Sequence, residues 1–213
     1  MLNWSIEDNH VVYECGCKFK IHKVREEKLL PRIRIDYDDL PLCKEVWRIL
    51  AEGKTKGVFQ LESQFGKQWA QDVKPESLEH MSALGSILRP GSLQSIDADG
   101  ISTTKHYSLR KNLLEPVEKI HPALDFILKD TYGLMIYQEQ AIMIASKLAG
   151  FTPSQAELLR KSIGKKDTSL MSKLQASFIE GVIKTGIITE ELGKEIFENI
   201  RKSQRYSFNK SHA

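Results

Sequence analysis

Along this chain, apolar residues recur at the three- and four-residue spacing of amphipathic helices far more than in strict alternation. Leu40 to Glu52 reads as a helix with Leu42, Val46, Ile49 and Leu50 on one side, and Gly53 and Gly57 break it. Val58-Phe59-Gln60-Leu61 follows as a short strand or turn. Ser77 to Leu88 is a second helix, carrying Leu78, Met81, Leu84, Ile87 and Leu88 at helical spacing. It stops at Arg89-Pro90-Gly91, because the residue before a proline avoids the helical conformation. The polar stretch Ser92 to Thr104, interrupted by Gly100, is expected to be a loop. A further helix is predicted from Tyr137 to Leu148, closed by Ala149-Gly150. Thr152-Pro153-Ser154-Gln155 is a strong helix start: Thr152 can cap, Pro153 suits the first helical position and Gln155 completes a capping box. That helix carries Leu158, Leu159 and Ile163. Ser169 to Thr185 comes next, with Leu170, Leu174, Phe178 and Val182 on one stripe. Thr189 to Lys202 ends the series, with Leu192, Ile196 and Ile200 facing inward.

Only the start departs from this pattern. Val11-Val12-Tyr13 and Arg32-Ile33-Arg34-Ile35 are strand-like, the second alternating in period two. The expected fold class is mainly α, with residues 1–37 a β-leaning N-terminal segment and 38–213 helical. There is no internal repeat and no low-complexity linker.

The composition fits a globular chain: 213 residues, 41% hydrophobic and 28% charged. Collagen-like and wholly disordered classes are excluded. No run of apolar residues is long enough to span a membrane. The start, Met1-Leu2-Asn3-Trp4-Ser5-Ile6-Glu7-Asp8, lacks the basic and apolar regions of a secretory signal. Three cysteines argue against a disulfide scaffold, so a cytoplasmic setting is expected. The net charge is only +3, but it is unevenly placed. Residues 1–150 hold 20 basic and 21 acidic side chains, whereas 151–213 hold 11 basic and 7 acidic. Eight of those eleven bases fall in two stretches without an acid, Arg160 to Lys166 and Arg201 to Lys210. Such clusters attract phosphate, although a solvated helix face would look the same.

Three candidate motifs are set aside. Gly53-Lys54-Thr55 resembles the end of a P-loop, but Arg48 stands where the loop needs its first glycine, and the preceding pattern is helical. Cys15-Gly16-Cys17, with His10 and His22 nearby and Cys43 alone, is too tight for the usual zinc knuckle; reduced core or loop cysteines are the better reading. Asp36-Tyr37-Asp38-Asp39 could place Asp36 and Asp38 on one side of a strand, but reads better as a loop and helix cap.

Five further stretches mix glycine, proline, charge and aromatic residues in ways that a packed core does not require. They are Gly57 to Ser63 (GVFQLES), Leu88-Arg89-Pro90-Gly91, Thr131 to Gln140 (TYGLMIYQEQ), Leu158 to Lys166 (LLRKSIGKK) and Tyr206 to Ala213 (YSFNKSHA). Together, and in this order, they resemble the fingers region of bacterial DNA polymerase III alpha subunits, the C-family replicative polymerases. The resemblance runs from about Leu40 to the last residue. Lys202-Ser203-Gln204-Arg205-Tyr206-Ser207-Phe208 resembles the bacteriophage branch more than the cellular enzymes. Ser92 stands where the family usually continues Arg-Pro-Gly with a second proline.

The resemblance implies a helical fingers domain in which the helix carrying Arg160 to Lys166 faces the incoming nucleotide. Arg160 would offer a bidentate hydrogen bond to the triphosphate, and Lys161 and Lys165 point charges. On a helix Arg160 and Lys161 lie about 100° apart, so the basic residues cannot all touch one triphosphate. Tyr206, Asn209, Lys210 and His212 would line the nucleotide and templating-base pocket, where an aromatic ring can stack on a base. Arg89 joins this nucleotide-binding set. Lys166, Arg201, Lys202 and Arg205 are the expected DNA contacts. Gln138 and Glu139 are expected to be buried, hydrogen-bonded positioning residues.

The family's palm aspartates, which hold two Mg²⁺ ions for nucleotidyl transfer, do not occur in this sequence. Nor do its histidinol-phosphatase-like and clamp-binding regions. The expectation is therefore one piece of a split polymerase, with residues 1–37 either a palm junction or a new start. It would use dNTP substrates and primer–template DNA, and would need a complementing palm that holds Mg²⁺ as well as complementing C-terminal pieces. A stand-alone nucleic-acid-binding module or non-catalytic remnant is the alternative, and a P-loop ATPase a distant third.

Overall fold

The computed structural model describes residues 4–7, 10–13, 16–20, 43–165, 168–203 and 207–213. The chain is mainly helical, as the periodicity predicts. A small antiparallel sheet comes first, with strands β1 (Trp4–Glu7), β2 (His10–Tyr13) and β3 (Lys18–Lys20) in sequential order. Trp4 lies opposite Tyr13, and Val11 opposite Phe19. The strand expected at Arg32–Ile35, the Asp36–Asp39 run, Cys15 and His22 lie outside the described residues.

Two hydrophobic cores follow. The first lies among helices α1 (Lys44–Ala51), α2 (Gln64–Val73), α3 (Leu78–Ile87), α4 (Pro90–Gln94) and α5 (Thr103–Lys111), with α2, α3 and α5 supplying its side chains, α1 packed on α2 and α4 on α5. Its centre is Ala70, Val73, Leu84, Ile87 and Tyr107, with Ile136 and Tyr137 from further along the chain. Ser63 and Ser77 cap α2 and α3, each accepting a backbone N–H of the first turn, the usual remedy for donors without an intrahelical partner. Of the apolar side expected for α1, Leu50 is buried but Val46 and Ile49 are exposed. Leu78, in the first turn of α3, is also exposed. Val58 to Leu61 forms consecutive turns rather than a strand, with Val58 N–H donating to Thr55 O and Leu61 N–H to Val58 O.

The polar stretch expected as a loop over 92–104 is shorter than predicted. Pro90 stops α3 and at once starts α4, where its missing N–H costs nothing. Thr103 begins α5, capped by Ser102. Between them Asp97 accepts N–H groups from Asp99 and Ile101 and so folds the connection. His106 on α5 ties this connection to the next one, reaching Asp97 at 2.7 Å with Nε2 and Glu115 at 2.8 Å with Nδ1. The largely buried Arg110 also binds Glu115, at 2.6 Å.

The second core belongs to α6 (Pro122–Leu128), α7 (Gln138–Ala149), α8 (Pro153–Lys165), α9 (Thr168–Thr185) and α10 (Glu190–Ser203). Leu148, Phe151, Leu159, Phe178, Val182, Phe197 and Ile200 fill it. Phe178 sits between Phe151 and Phe197, with ring centroids 6.0 and 5.2 Å away. The capping box expected at Thr152 is present: its N–H donates to Gln155 Oε1, and Gln155 N–H returns to Thr152 Oγ1. Leu158 on α8 is exposed, while its neighbour Leu159 is fully buried. Helices α7 and α9 approach backbone to backbone, because a Cβ on Gly181 would lie 2.1 Å from the Ala149 carbonyl oxygen.

The segment before α7 runs between the two cores. Met135 packs into the second, and Ile136 and Tyr137 into the first.

Candidate nucleotide and DNA site

Three segments far apart in sequence meet at the start of α7. The first is Met135-Ile136-Tyr137, clamped from behind by Gln140. The Gln140 Oε1 accepts from Ile136 N–H (2.9 Å) and Tyr137 N–H (3.0 Å). Its Nε2 donates to Thr131 Oγ1 (2.6 Å) and Ile127 O (3.2 Å). All four bonds are made by a buried side chain, which fixes the segment's path. Gln138 and Glu139, expected to be the buried pair, are instead only partly covered; the buried amide stands two residues further on. The physical reason is helical phase: Gln140, at the third position of α7, faces back onto the preceding segment.

The second segment is the C-terminal tail. Phe208 N–H donates to Ile136 O and Gln138 N–H to Phe208 O, both at 2.9 Å, which forms a parallel bridge between Tyr137 and Phe208. Glu139 accepts the Lys210 backbone N–H at 3.1 Å. Lys210 Nζ lies 5.5 Å from the centroid of the Tyr137 ring, and the His212 ring 6.5 Å from that of Phe208. The Asn209 side-chain oxygen is occupied by Ser211 N–H, capping the short terminal 3-10 turn Lys210–His212. Burial pushes the Tyr137 phenol up to about 12, so at neutral pH it is an uncharged donor and ring face.

The third segment is the corner between α3 and α4. Arg89 there lays its guanidinium over the Phe208 ring, with Cζ 3.6 Å from the centroid. This is a close cation–π stack.

Helix α8 packs against α7. Arg160 donates from Nε and Nη2 to the two Glu157 oxygens, at 2.8 and 2.7 Å. Lys161 Nζ stands 3.7 Å from the same carboxylate. The Arg160 hydrogen bond is the main cause that lowers the Glu157 carboxyl to about 2. The Arg160 pKa is raised first by that bond, and to a smaller degree by the field of Glu139. Glu139 thus links α8 electrostatically to the docked tail. Although Arg160 and Lys161 point about 100° apart on an ideal helix, both reach Glu157 through the length of their side chains.

The structure brings Arg89, Lys210 and His212 together around Tyr137 and Phe208, with Asn209 capping the turn between them; Arg160 feels the field of Glu139, and Lys161 lies beside Glu157. Lys165 is the last residue of α8. Lys166, Arg205 and Tyr206 lie outside the described residues. On α10, Arg201 pairs with Glu198 at 2.8 Å and Lys202 is exposed. Sequence reasoning missed Glu157 and Gln140. Glu157 was findable, since an acid three residues before an arginine on one helix is a standard pair. Gln140 carried no such signal, because its partners are mostly backbone groups.

A family model described as the bacterial DNA polymerase III alpha subunit finger domain matches residues 19–186. The chain belongs to this family. It is 43% identical over 182 residues to the DNA polymerase III subunit alpha of Aquifex aeolicus, covering 85% of this chain and 15% of that one. The corresponding subunit of Rickettsia prowazekii is 38% identical, with the same coverage. That of Staphylococcus epidermidis is 37% identical, over 84% of this chain and 16% of the relative. The chain therefore spans less than a fifth of the curated relatives' length. The finger-domain match includes Arg89, the start of α7 and the basic end of α8, whereas the docked tail lies beyond it.

Among the described residues of this finger domain, no three His, Cys, Asp or Glu side chains converge on one point. At His106 the two carboxylates take opposite ring nitrogens instead of sharing a centre. No helix among the described residues is long and apolar enough to cross a membrane.

Proposed function

We propose that this chain is the fingers portion of a DNA-directed DNA polymerase of the polymerase III alpha type. It would bind the triphosphate of an incoming dNTP together with primer–template DNA during replication in a bacterial cytoplasm. The observation that carries this reading is the junction at α7. Motifs as far apart in sequence as Arg89 and Phe208, each resembling a fingers motif, fold into one strip of cations and aromatic rings around Tyr137 and Phe208. Family membership gives the strip its chemical context. Arginine and lysine are the groups that would meet charge developing on the α-phosphate and the leaving pyrophosphate.

On this proposal nucleotidyl transfer itself needs carboxylates and Mg²⁺ held by a palm, which the residues of this sequence do not supply. The residues of this chain bind and orient. Lys165 adds a point charge for the triphosphate, and Lys166, Arg201, Lys202 and Arg205 make phosphate contacts with DNA. Tyr206 is a further nucleotide-binding residue on this reading.

The test is reconstitution. The chain alone, with Mg²⁺, primer–template and dNTPs, should extend nothing. Mixed with palm-bearing and C-terminal polypeptides, it should restore primer extension. Arg160→Ala should then lower incorporation at least tenfold, on the order expected for losing a charged donor to a transition-state phosphate, with DNA affinity little changed. Synthesis by the lone chain would refute the division of labour. DNA binding that falls with Arg160→Ala while no combination of pieces polymerises would favour a stand-alone binding module.

A further inference from the structure

The two arginines of the strip differ in what their guanidinium groups are doing. Arg160 has its fork closed on Glu157. The Arg89 guanidinium makes no hydrogen bond or ion pair among the described residues, and the side chain is exposed. Among the described residues its guanidinium meets the face of Phe208, at 3.6 Å. A guanidinium lying flat on a ring keeps every N–H donor in its plane, pointing away from the ring edge. Stacking therefore restricts the rotamers of a long side chain without occupying a donor. Phe208 is itself held by backbone bonds to Ile136 and Gln138.

We propose that Phe208 is a positioning residue that presents the donor edge of Arg89 to a phosphate group of the ligand. The proposal rests on the triphosphate reading above, and it changes the part expected of the tail. The Phe208 face under Arg89 is taken and does not stack on a base. Arg89, not Arg160, is the arginine ready to bind before the ligand arrives, while Arg160 must first exchange Glu157 for phosphate.

The full chain, labelled with ¹⁵N, tests this through arginine side-chain NMR, with sodium tripolyphosphate as probe. The stack predicts that Arg89 Hε is shifted upfield by the ring current, that the shift disappears in Phe208→Leu, and that it persists in Phe208→Tyr. Tripolyphosphate should move the Arg89 signal. Phe208→Leu should weaken the titration about threefold to fivefold, the range of an exposed cation–π contact, and Phe208→Tyr should leave it nearly unchanged. If Phe208→Leu also displaces the Lys210 amide signal, the tail has loosened. Arg89→Lys then carries the test, since it spares the backbone bridge and should weaken binding by a similar factor. An unshifted Arg89 Hε overturns the proposal. So does a titration that Phe208→Leu or Arg89→Lys leaves unchanged. Tripolyphosphate that moves Arg160 but not Arg89 overturns it while leaving the triphosphate site standing. Tripolyphosphate that moves neither removes the triphosphate reading itself.

Discussion

His80 and Tyr132, fifty-two residues apart, share a 2.8 Å hydrogen bond between imidazole Nε2 and the phenol oxygen. The other ring nitrogen, Nδ1, accepts the Glu76 backbone N–H at 3.1 Å. With Nδ1 accepting, the proton sits on Nε2 and the neutral ring satisfies both partners. Burial lowers the His80 pKa, the nearby Lys111 cation lowers it further, and Glu76 and Glu79 oppose them weakly. The unfolded chain thus binds this proton more readily. The His80 contribution to stability is full above the ordinary value of 6.5 and is lost as pH falls through it. Urea midpoints of wild type and His80→Gln should differ more at pH 8 than at pH 5.5. A difference independent of pH would show that folding does not lower the His80 pKa.

The Glu157 carboxylate should titrate near 2 in a ¹³C-detected NMR experiment. Arg160→Ala should return it close to the ordinary 4.5, because the arginine hydrogen bond is the main cause of the shift. The pair is exposed, so breaking it should hardly move the unfolding midpoint at pH 7. A Glu157 titration unchanged by Arg160→Ala would mean that the two side chains do not pair in solution.

Gln140→Leu removes four hydrogen bonds from a buried site at once. Buried donors and acceptors left without partners cost about 1–3 kcal/mol each where no water replaces the bond, so a loss of about 3 kcal/mol in unfolding free energy is expected. Amide exchange at Gln138 and Phe208 should quicken by more than the global change, since Gln140 fixes the segment to which the tail is bonded. A uniform change across the molecule would refute that local role.

Gly181→Ala sets two effects against each other. Alanine favours a helix over glycine by about 1 kcal/mol. Its methyl, however, would meet the Ala149 carbonyl oxygen at 2.1 Å, and backbone cannot rotate aside as a side chain can. Overpacking of this kind costs about 1–3 kcal/mol or more. Destabilisation should win, by about 2 kcal/mol in denaturant unfolding. A stabilised variant would show that α7 and α9 can separate at little cost.

Helices whose contacts are made by large apolar side chains were legible in the sequence. The stripe Leu174, Phe178, Val182 on α9 and the capping box at Thr152 are both found in the structure. Helix α2 left no comparable signal, because it packs through Gly66, Ala70 and Val73. Helix α5 is hidden for a different reason: beside Tyr107 it buries Thr104, Ser108 and Arg110, polar groups that a hydrophobic pattern reads as surface. Thr104 Oγ1 bonds Ile87 O and Ser108 Oγ bonds Asp72 O, so tertiary partners and not periodicity place this helix. The motifs of the site were each visible, but their meeting was not. Neither spacing nor charge indicates that Phe208 crosses to Ile136, or that Arg89 arrives above its ring.

The bridge between the tail and the start of α7 has a consequence for folding. Lys210 and Glu139, bonded beside it, are 71 residues apart. Closing a flexible loop of that length costs about 4 kcal/mol in chain entropy before any contact repays it. Helices α7 to α10 lie within that loop, and once they have packed, the distance to be closed is short. Tail docking is thus a late event that reports on a finished second core. Arg89 meets its aromatic platform only in molecules that have passed this point, so the same contact that aims a side chain also marks the chain as completely folded.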